Sequence, residues 1–129
     1  MQVMTTLPQE NLNDVPQAAR NAEMAGFDMV ATMENRYEPF MPLAAAAIST
    51  KTINIGTAVA IAFPRSPMVV ASTCWDLNNA SGGRFVLGLG PQIKPHNEKR
   101  FSVPWSPPAP RIREYVMALR AIWKNWEHG

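Results

Sequence analysis

Residues 65–90 have the sequence RSPMVVASTCWDLNNASGGRFVLGLG, which contains a complete transition from helix to strand. Ser66 followed by Pro67 predicts a helix with a serine cap and a proline in its first turn, running to about Asn79. The stripe expected along one face of this helix is Met68, Ala71, Trp75 and Asn78. The glycine pair at 82–83 ends the helix, and Arg84–Leu89 is expected to be a buried strand. The segment therefore predicts one unit of a parallel α/β sheet.

The same alternation of apolar strands and helices continues towards the N-terminus. The expected strands are Gln2–Leu7, Phe27–Met33 and Thr52–Ala62. One helix is expected to begin at a capping Asp14 and to end at Gly26, and a second to cover Pro39–Ser49. Ala18, Ala22 and Ala25 are the expected inner face of the first of these helices. Together with Arg84–Leu89 these elements make four βα units, which indicates an α/β fold with a parallel sheet.

The C-terminal part combines a proline-rich loop with one clearly amphipathic helix. Pro91–Ala109 contains five prolines and little periodicity, and loops of this length are often functional. A last helix is expected from Pro110, with an apolar stripe at Ile112, Tyr115, Val116, Leu119, Ile122, Trp123 and Trp126. Trp123 and Trp126 are interpreted as packing residues rather than as a ligand site.

Composition excludes several classes of protein. The 129 residues suit one domain, and 47% hydrophobic with 17% charged residues is globular composition. No apolar run approaches the ~18 residues of a membrane span, and the N-terminus has no secretory pattern. With Cys74 as the single cysteine and two histidines, we expect no disulfide, no metal site and a cytoplasmic setting. Cys74, inside a helix, is expected to be a small buried hydrophobe rather than a nucleophile.

Charge is distributed unevenly along the chain. Residues 1–64 hold three basic and six acidic groups, and residues 65–129 hold nine and four. This asymmetry suits an anionic ligand at the C-terminal half, but the basic residues are too dilute for a nucleic-acid groove. We therefore expect a small-molecule ligand and no nucleic acid.

Four stretches carry a resemblance to a known family. They are AARNAEMAGFDMVATMEN (18–35), EPFMPLAAAAISTKTINIGTAV (38–59), residues 65–90, and REYVMALRAIW (113–123). In this order and spacing they resemble the luciferase-like monooxygenase superfamily, in its branch of oxidoreductases that use the deazaflavin coenzyme F-420. The resemblance implies a (β/α)₈ TIM barrel, of which residues 1–129 would be the N-terminal half with about the first four βα units. It leaves open whether the chain is a fragment that needs a missing C-terminal half or a half-barrel that forms a homodimer.

The resemblance also implies a function. We expect an oxidoreductase that transfers a hydride between coenzyme F-420 and an organic substrate. One alternative is a monooxygenase that uses FMN and oxygen, because the same barrel serves both chemistries. Another is a catalytically incomplete chain, so whether residues 1–129 form an enzyme by themselves stays open.

Candidate catalytic residues follow from the position of TIM-barrel active sites at the C-terminal ends of the strands. The resemblance places Glu34 and Asn35 beside the cofactor ring, where relatives often keep a histidine at the second position. Asparagine cannot shuttle a proton near neutral pH, so Glu34 is the remaining acid or base there. The alternative is that both belong to a solvated loop. His96 is the candidate proton donor in the long loop, whose Lys94, Lys99 and Arg100 suit either an anion-attracting lid or a solvated face.

Candidate cofactor-binding residues are Thr57, Ala58, Val59, Gly88, Gly90 and Gln92. The resemblance implies a bulge with a non-prolyl cis peptide at Ala58-Val59 against the back of the ring, whereas the residues alone also suit an ordinary buried strand. Gly88 and Gly90 would let the backbone approach the cofactor, and Gln92 could hydrogen-bond a pyrimidine edge. Arg84 lies before its strand, away from the chemistry, and is interpreted as structural, pairing with a carboxylate such as Asp76.

Overall fold

The computed structural model describes residues 1–129 and contains six strands and four α-helices. The strands are β1 (Met4–Thr6), β2 (Met29–Thr32), β3 (Asn54–Thr57), β4 (Ala60–Ile61), β5 (Phe85–Val86) and β6 (Leu89–Gly90). The α-helices are α1 (Val15–Met24), α2 (Phe40–Ser49), α3 (Pro67–Ser81) and α4 (Pro108–Glu127). No helix combines the length and the apolar character that crossing a membrane requires.

Four strands form one parallel sheet in the order β1-β2-β3-β5. Met4 is paired with Met29, Met29 with Asn54, and Ile55 with Phe85. Because the strands run in the same direction, their carboxyl ends meet along one edge of the sheet. The four predicted βα units are therefore confirmed.

The predicted strand Thr52–Ala62 is divided into β3 and β4, and Arg84–Leu89 into β5 and β6. The peptide bond between Ala58 and Val59 is cis, at the position that the resemblance implied. Between the divided strands, the Thr57 hydroxyl donates to the Gly88 carbonyl at 2.7 Å and accepts from its amide at 2.9 Å. A side chain thus takes the place of the backbone ladder at this point.

The buried face of α1 differs from the predicted one. Val15, Ala19 and Ala22 are buried, whereas Ala18 is only partly buried and Ala25 is exposed. Starting the apolar spacing at Val15 rather than at Ala18 gives the observed face. Asp14 occupies the N-cap position without a capping hydrogen bond, and the positive φ of Gly26 confirms the predicted helix end.

Helix α3 begins as predicted, but its buried face is also rotated. The Met68 amide donates to the Ser66 hydroxyl at 3.3 Å, which confirms the serine start. Met68 is half exposed and Asn78 is exposed. The buried side chains of α3 are Val70, Ala71, Cys74, Leu77 and Ser81. Of the predicted stripe, Ala71 is buried and Trp75 partly buried, whereas Met68 and Asn78 were wrong because the stripe was counted from Met68 and the buried face begins at Val70.

The chain consists of two compact units. The first comprises residues 1–60 and 76–88 and contains the four-stranded sheet; the second comprises residues 61–75 and 89–129. In the second unit, α4 begins at Pro108 rather than at the predicted Pro110. The Trp123 indole donates to the Ala71 carbonyl at 3.2 Å, and Trp126 packs edge-on against Trp75 with ring centroids 5.5 Å apart. These contacts confirm Trp123 and Trp126 as packing residues.

Arg84 stabilises the amino-terminal side of β5 in the first unit. Its guanidinium donates to the carbonyls of Ala47, Thr50, Ile53 and Ser81 and to the Thr50 hydroxyl. The structural role is confirmed, but the expected pairing with Asp76 is wrong. Five backbone and hydroxyl oxygens match the five guanidinium N–H groups, so the group is satisfied without a carboxylate.

Candidate functional site

The carboxyl-terminal edge of the four-stranded sheet brings several of the predicted site residues together. The Ala58 amide donates to the Thr32 carbonyl at 2.7 Å, and the Glu34 amide donates to the Val59 carbonyl at 3.3 Å. The Ala60 amide donates to the Gly88 carbonyl at 2.9 Å. These bonds join the ends of β2, β3 and β5, so Glu34, Thr57, Ala58, Val59 and Gly88 lie along one edge.

Apolar side chains are exposed at this edge. Val59 and Met33 are 43% and 42% exposed, although Val59 lies between the buried strands β3 and β4 and Met33 directly follows β2. The backbone around Val59 is meanwhile hydrogen-bonded on both sides, through Ala58, Ala60 and the Val59 carbonyl itself. The edge therefore offers an apolar surface with few unsatisfied backbone groups.

Glu34 and Asn35 follow β2 at this edge but differ in their surroundings. Glu34 is 8% exposed, which is unusual for a carboxylate and contradicts a simple solvated loop at this residue. Asn35 lines a pocket of about 420 Å³. The other residues that line this pocket are Thr6, Leu7, Pro8, Gln9, Glu10, Met33, Arg36 and Tyr37.

The pocket has the size and the mixed lining of a small-molecule site. Its volume falls within the ~300–1,000 Å³ range typical of ligand pockets. Glu10 and Arg36 supply opposite charges, and the Arg36 guanidinium lies 5.7 Å from the centroid of the Tyr37 ring. A cation over an aromatic face leaves the guanidinium edge available to a polar ligand group.

Gly88 has a structural reason to be glycine. A Cβ atom at this position would overlap the backbone carbonyl of Thr57. The lack of a side chain is therefore required by the close approach of the two neighbouring chain segments. Its predicted role in approaching a cofactor stays a prediction.

The remaining candidates, Gly90, Gln92 and His96, belong to the second unit. The Gly90 carbonyl accepts from the Ala62 amide at 3.0 Å. Gln92 has a φ of 57°, and its side-chain oxygen accepts from the Ile93 amide at 2.9 Å. His96 is exposed at the start of a π-helical turn, His96–Arg100, that lies within the predicted loop 91–109. The roles of these three residues stay predictions.

Cys74 has the properties expected of a buried apolar residue. Its side chain is 4% exposed, and burial raises the pKa of its thiol to about 12. Because the thiolate is the reactive species, this cysteine is inert in the folded protein.

Comparison with known proteins shows which family the chain resembles. The model of the luciferase-like monooxygenase family matches residues 1–128. The chain belongs to this family. An uncharacterized protein of Mycobacterium tuberculosis is 54% identical over 112 residues, which are 87% of this chain and 33% of that protein. A putative coenzyme F-420-dependent oxidoreductase of the same organism is 37% identical over 106 residues, covering 79% of this chain and 30% of that protein.

A solved structure supports the same assignment. The coenzyme F-420-dependent tetrahydromethanopterin reductase of Methanopyrus kandleri is 27% identical, with a TM-score of 0.76 over 89% of this chain and 38% of that chain. Residues 1–129 therefore span about a third of the length of these curated relatives. The fold is a partial luciferase-like TIM barrel with four parallel strands, as the sequence predicted.

Sequence reasoning missed several residues that line the pocket. Gln9 and Glu10, which follow β1, and Arg36 all line the pocket but were not among the candidates. The signal was available, because the loop after β1 also lies at the carboxyl end of a barrel strand.

Proposed function

We propose that the carboxyl-terminal edge of the sheet holds the ring of a deazaflavin, coenzyme F-420. The chain would then be part of an oxidoreductase that transfers a hydride between this cofactor and a small organic substrate. Two observations from relatives support the proposal: the 37% identity to a putative coenzyme F-420-dependent oxidoreductase and the likeness to a coenzyme F-420-dependent reductase structure. Both relatives are longer than this chain, so the activity proposed is that of a complete barrel.

The surface at Val59 is the observation that carries the proposal. A planar ring system needs an apolar surface of small side chains against one face and polar groups near its edge. Ala58 and Val59 provide such a surface, since their backbone groups are engaged with Thr32, Glu34 and Gly88 while the Val59 side chain is half exposed. The residues present therefore fit a flavin-type ring.

Individual residues are assigned roles towards that ring. Thr57, Ala58 and Val59 would support its face, and Asn35 would hydrogen-bond its polar edge or the substrate from the pocket wall. When bound, the deazaflavin supplies two-electron hydride chemistry. Asn35 can orient a polar atom but cannot transfer a proton near neutral pH, so Glu34 is the group at this edge that could take up or release one.

Completion of the barrel belongs to the same proposal. β1 and β5 are the outer strands of the sheet, and each has one strand neighbour there. Met4 and Val86 on these strands are 52% and 48% exposed. Exposed apolar strands pair with other strands when they can, so we propose that four further βα units, from a second copy or a longer chain, complete the barrel. If light scattering shows that residues 1–129 form a folded monomer, completion of the barrel by a second copy of the chain is contradicted.

Cofactor titration tests the proposed function. The protein is titrated separately with coenzyme F-420 and with FMN, and binding is followed by ligand fluorescence and thermal shift. Saturable binding of coenzyme F-420 supports the proposal, whereas preference for FMN would favour a flavin-dependent monooxygenase, the chemistry in the family's name. Binding of neither by folded protein would contradict both and favour a catalytically incomplete chain.

A pair of variants makes the test specific to the edge. Val59→Asp places a charge where the ring face is expected to lie, so it should weaken coenzyme F-420 binding by at least about tenfold. Val69→Asp is the matched control, because Val69 is 59% exposed on α3. Equal affinity of both variants for coenzyme F-420 would show that Val59 does not contact the cofactor.

A further inference from the structure

The side-chain amide of Gln9 is paired with the backbone of Met33 in both directions. Its oxygen, Oε1, accepts from the Met33 amide at 3.0 Å, and its nitrogen, Nε2, donates to the Met33 carbonyl at 3.0 Å. Both residues also line the pocket. One side chain therefore satisfies both backbone groups of the residue that directly follows β2.

This pairing takes the place of a continued β1. The Leu7 amide donates to the Ala31 carbonyl at 3.0 Å. The backbone groups that a longer β1 would bond next are those of Met33, the residue directly after β2. The Gln9 side chain supplies to Met33 the acceptor and the donor that the backbone of a longer β1 would have supplied. Pro8, Gln9 and Glu10 lie beyond the end of β1 and line the pocket.

We propose that Gln9 is a positioning residue for the candidate site. By pairing with Met33 it holds the end of β2 in place, and with it Glu34 and Asn35, while the loop after β1 stays open to the ligand. This inference rests on the proposed function for the identity of the ligand, coenzyme F-420. Gln9 would act on the site indirectly, because its side chain holds the backbone of Met33.

The test compares Gln9→Ala with Gln2→Ala, a control at an exposed glutamine before β1. We expect Gln9→Ala to raise amide hydrogen exchange at Met33 and to weaken coenzyme F-420 binding, each by about tenfold. The melting temperature should fall by only a few degrees, about what one lost pair of hydrogen bonds gives. Gln2→Ala should change none of these three measurements.

Gln9→Glu adds a second readout, which is the pH dependence of coenzyme F-420 binding. A protonated carboxyl group has one acceptor and one O–H donor, as the amide has, whereas an ionised one has no donor for the Met33 carbonyl. Coenzyme F-420 binding by this variant should therefore be weak at neutral pH and recover as the pH falls towards about 4–5. The charged groups that share the pocket with Gln9 are Glu10, whose carboxylate accepts from the Gln9 backbone amide at 3.1 Å, and Arg36. The wild-type protein, measured over the same pH range, is the control for any effect of pH that does not come from residue 9.

Three results would overturn the proposal. They are unchanged exchange at Met33 in Gln9→Ala, unchanged coenzyme F-420 affinity in that variant, and equally weak binding by Gln9→Glu at every pH. If the wild type binds neither coenzyme F-420 nor FMN, the proposed function fails separately. Exchange at the Asn35 and Arg36 amides then decides the role of Gln9: faster exchange in Gln9→Ala supports positioning of the pocket wall, and unchanged exchange contradicts it.

Discussion

The Glu23 carboxylate accepts hydrogen bonds from both the backbone amide and the hydroxyl of Thr52, at 2.6 and 3.0 Å. The same oxygen accepts from the amides of Lys51 and Ile53 at 2.8 and 3.1 Å. These bonds, foremost that from the Thr52 amide, lower the pKa of Glu23 from 4.5 to about 2. The C-terminal turn of α1 is thereby tied to the loop that leads into β3.

Replacing Glu23 tests the strength of this link. Glu23→Gln should lower the free energy of unfolding by about 1–3 kcal/mol, because a neutral amide oxygen is a weaker acceptor for three backbone N–H groups. Denaturant unfolding measures the change. Glu114→Gln, at an exposed carboxylate on α4, is the control and should change the free energy by less than about 0.5 kcal/mol. Equal effects of the two substitutions would contradict the assigned role of Glu23.

The lowered pKa of Glu23 also predicts a pH dependence. A carboxylate with a lower pKa in the folded state than in the unfolded state stabilises the fold fully above the unfolded value of 4.5. That contribution is lost as the pH falls from 4.5 towards about 2. The difference in unfolding free energy between wild type and Glu23→Gln should therefore be larger at about pH 6 than at about pH 3. A difference that is constant across this range would show that Glu23 is not the titrating group.

Arg84→Lys should destabilise the protein although it keeps the charge. An ammonium group has three donors in place of five, so some of the carbonyls at Ala47, Thr50, Ile53 and Ser81 lose their partner. We expect a loss of about 2–4 kcal/mol by denaturant unfolding. Arg113→Lys, at an exposed arginine of α4, should be close to neutral. Tolerance of lysine at residue 84 would mean that charge alone suffices there.

Gly88→Ala and Gly26→Ala should lower the free energy of unfolding by different amounts, because alanine is unfavourable at the two positions for different reasons. At Gly88 the added methyl group meets the backbone of Thr57, which has to move. At Gly26 there is open space, and only the φ of 85° is unfavourable for alanine. We expect Gly26→Ala to lower the free energy of unfolding by about 1 kcal/mol and Gly88→Ala to lower it by more than about 3 kcal/mol, as measured by thermal unfolding. Similar values would indicate that the ends of β3 and β5 can separate at little cost.

Cys74 should be unreactive towards alkylating reagents in the folded protein. Its thiol is buried and has a pKa of about 12, so little thiolate is present near neutral pH. Mass spectrometry should detect alkylation only at the rate of local opening, and rapid alkylation after addition of denaturant. Fast labelling without denaturant would show that α3 opens readily.

The sequence was sufficient to predict those parts of the fold that depend on residues close together in the chain. The four βα units, the helix start at Ser66 and the turn at Gly26 follow from apolar spacing and local backbone preferences. The resemblance, rather than any spacing, implied the cis bond at Ala58-Val59.

The sequence was insufficient where a side chain bonds to backbone far along the chain. Glu23 reaches Thr52, Arg84 reaches Ala47, and Gln9 reaches Met33, which are separations of 29, 37 and 24 residues. Nothing in the local pattern distinguishes these polar residues from exposed ones. The inner faces of α1 and α3 were misplaced for a different reason. Ala18, Ala19 and Ala22 are identical, and residues 68–71 are four apolar residues in a row, so hydrophobicity alone does not fix the buried face of either helix.

The division into two units has a spectroscopic consequence. All four tryptophans, at positions 75, 105, 123 and 126, belong to the second unit, whereas the four-stranded sheet belongs to the first. Intrinsic tryptophan emission therefore comes from the second unit, so an unfolding curve recorded by this signal reports directly on that unit. Far-ultraviolet circular dichroism, to which the four-stranded sheet contributes, has to accompany it to follow the sheet edge where the cofactor is proposed to bind.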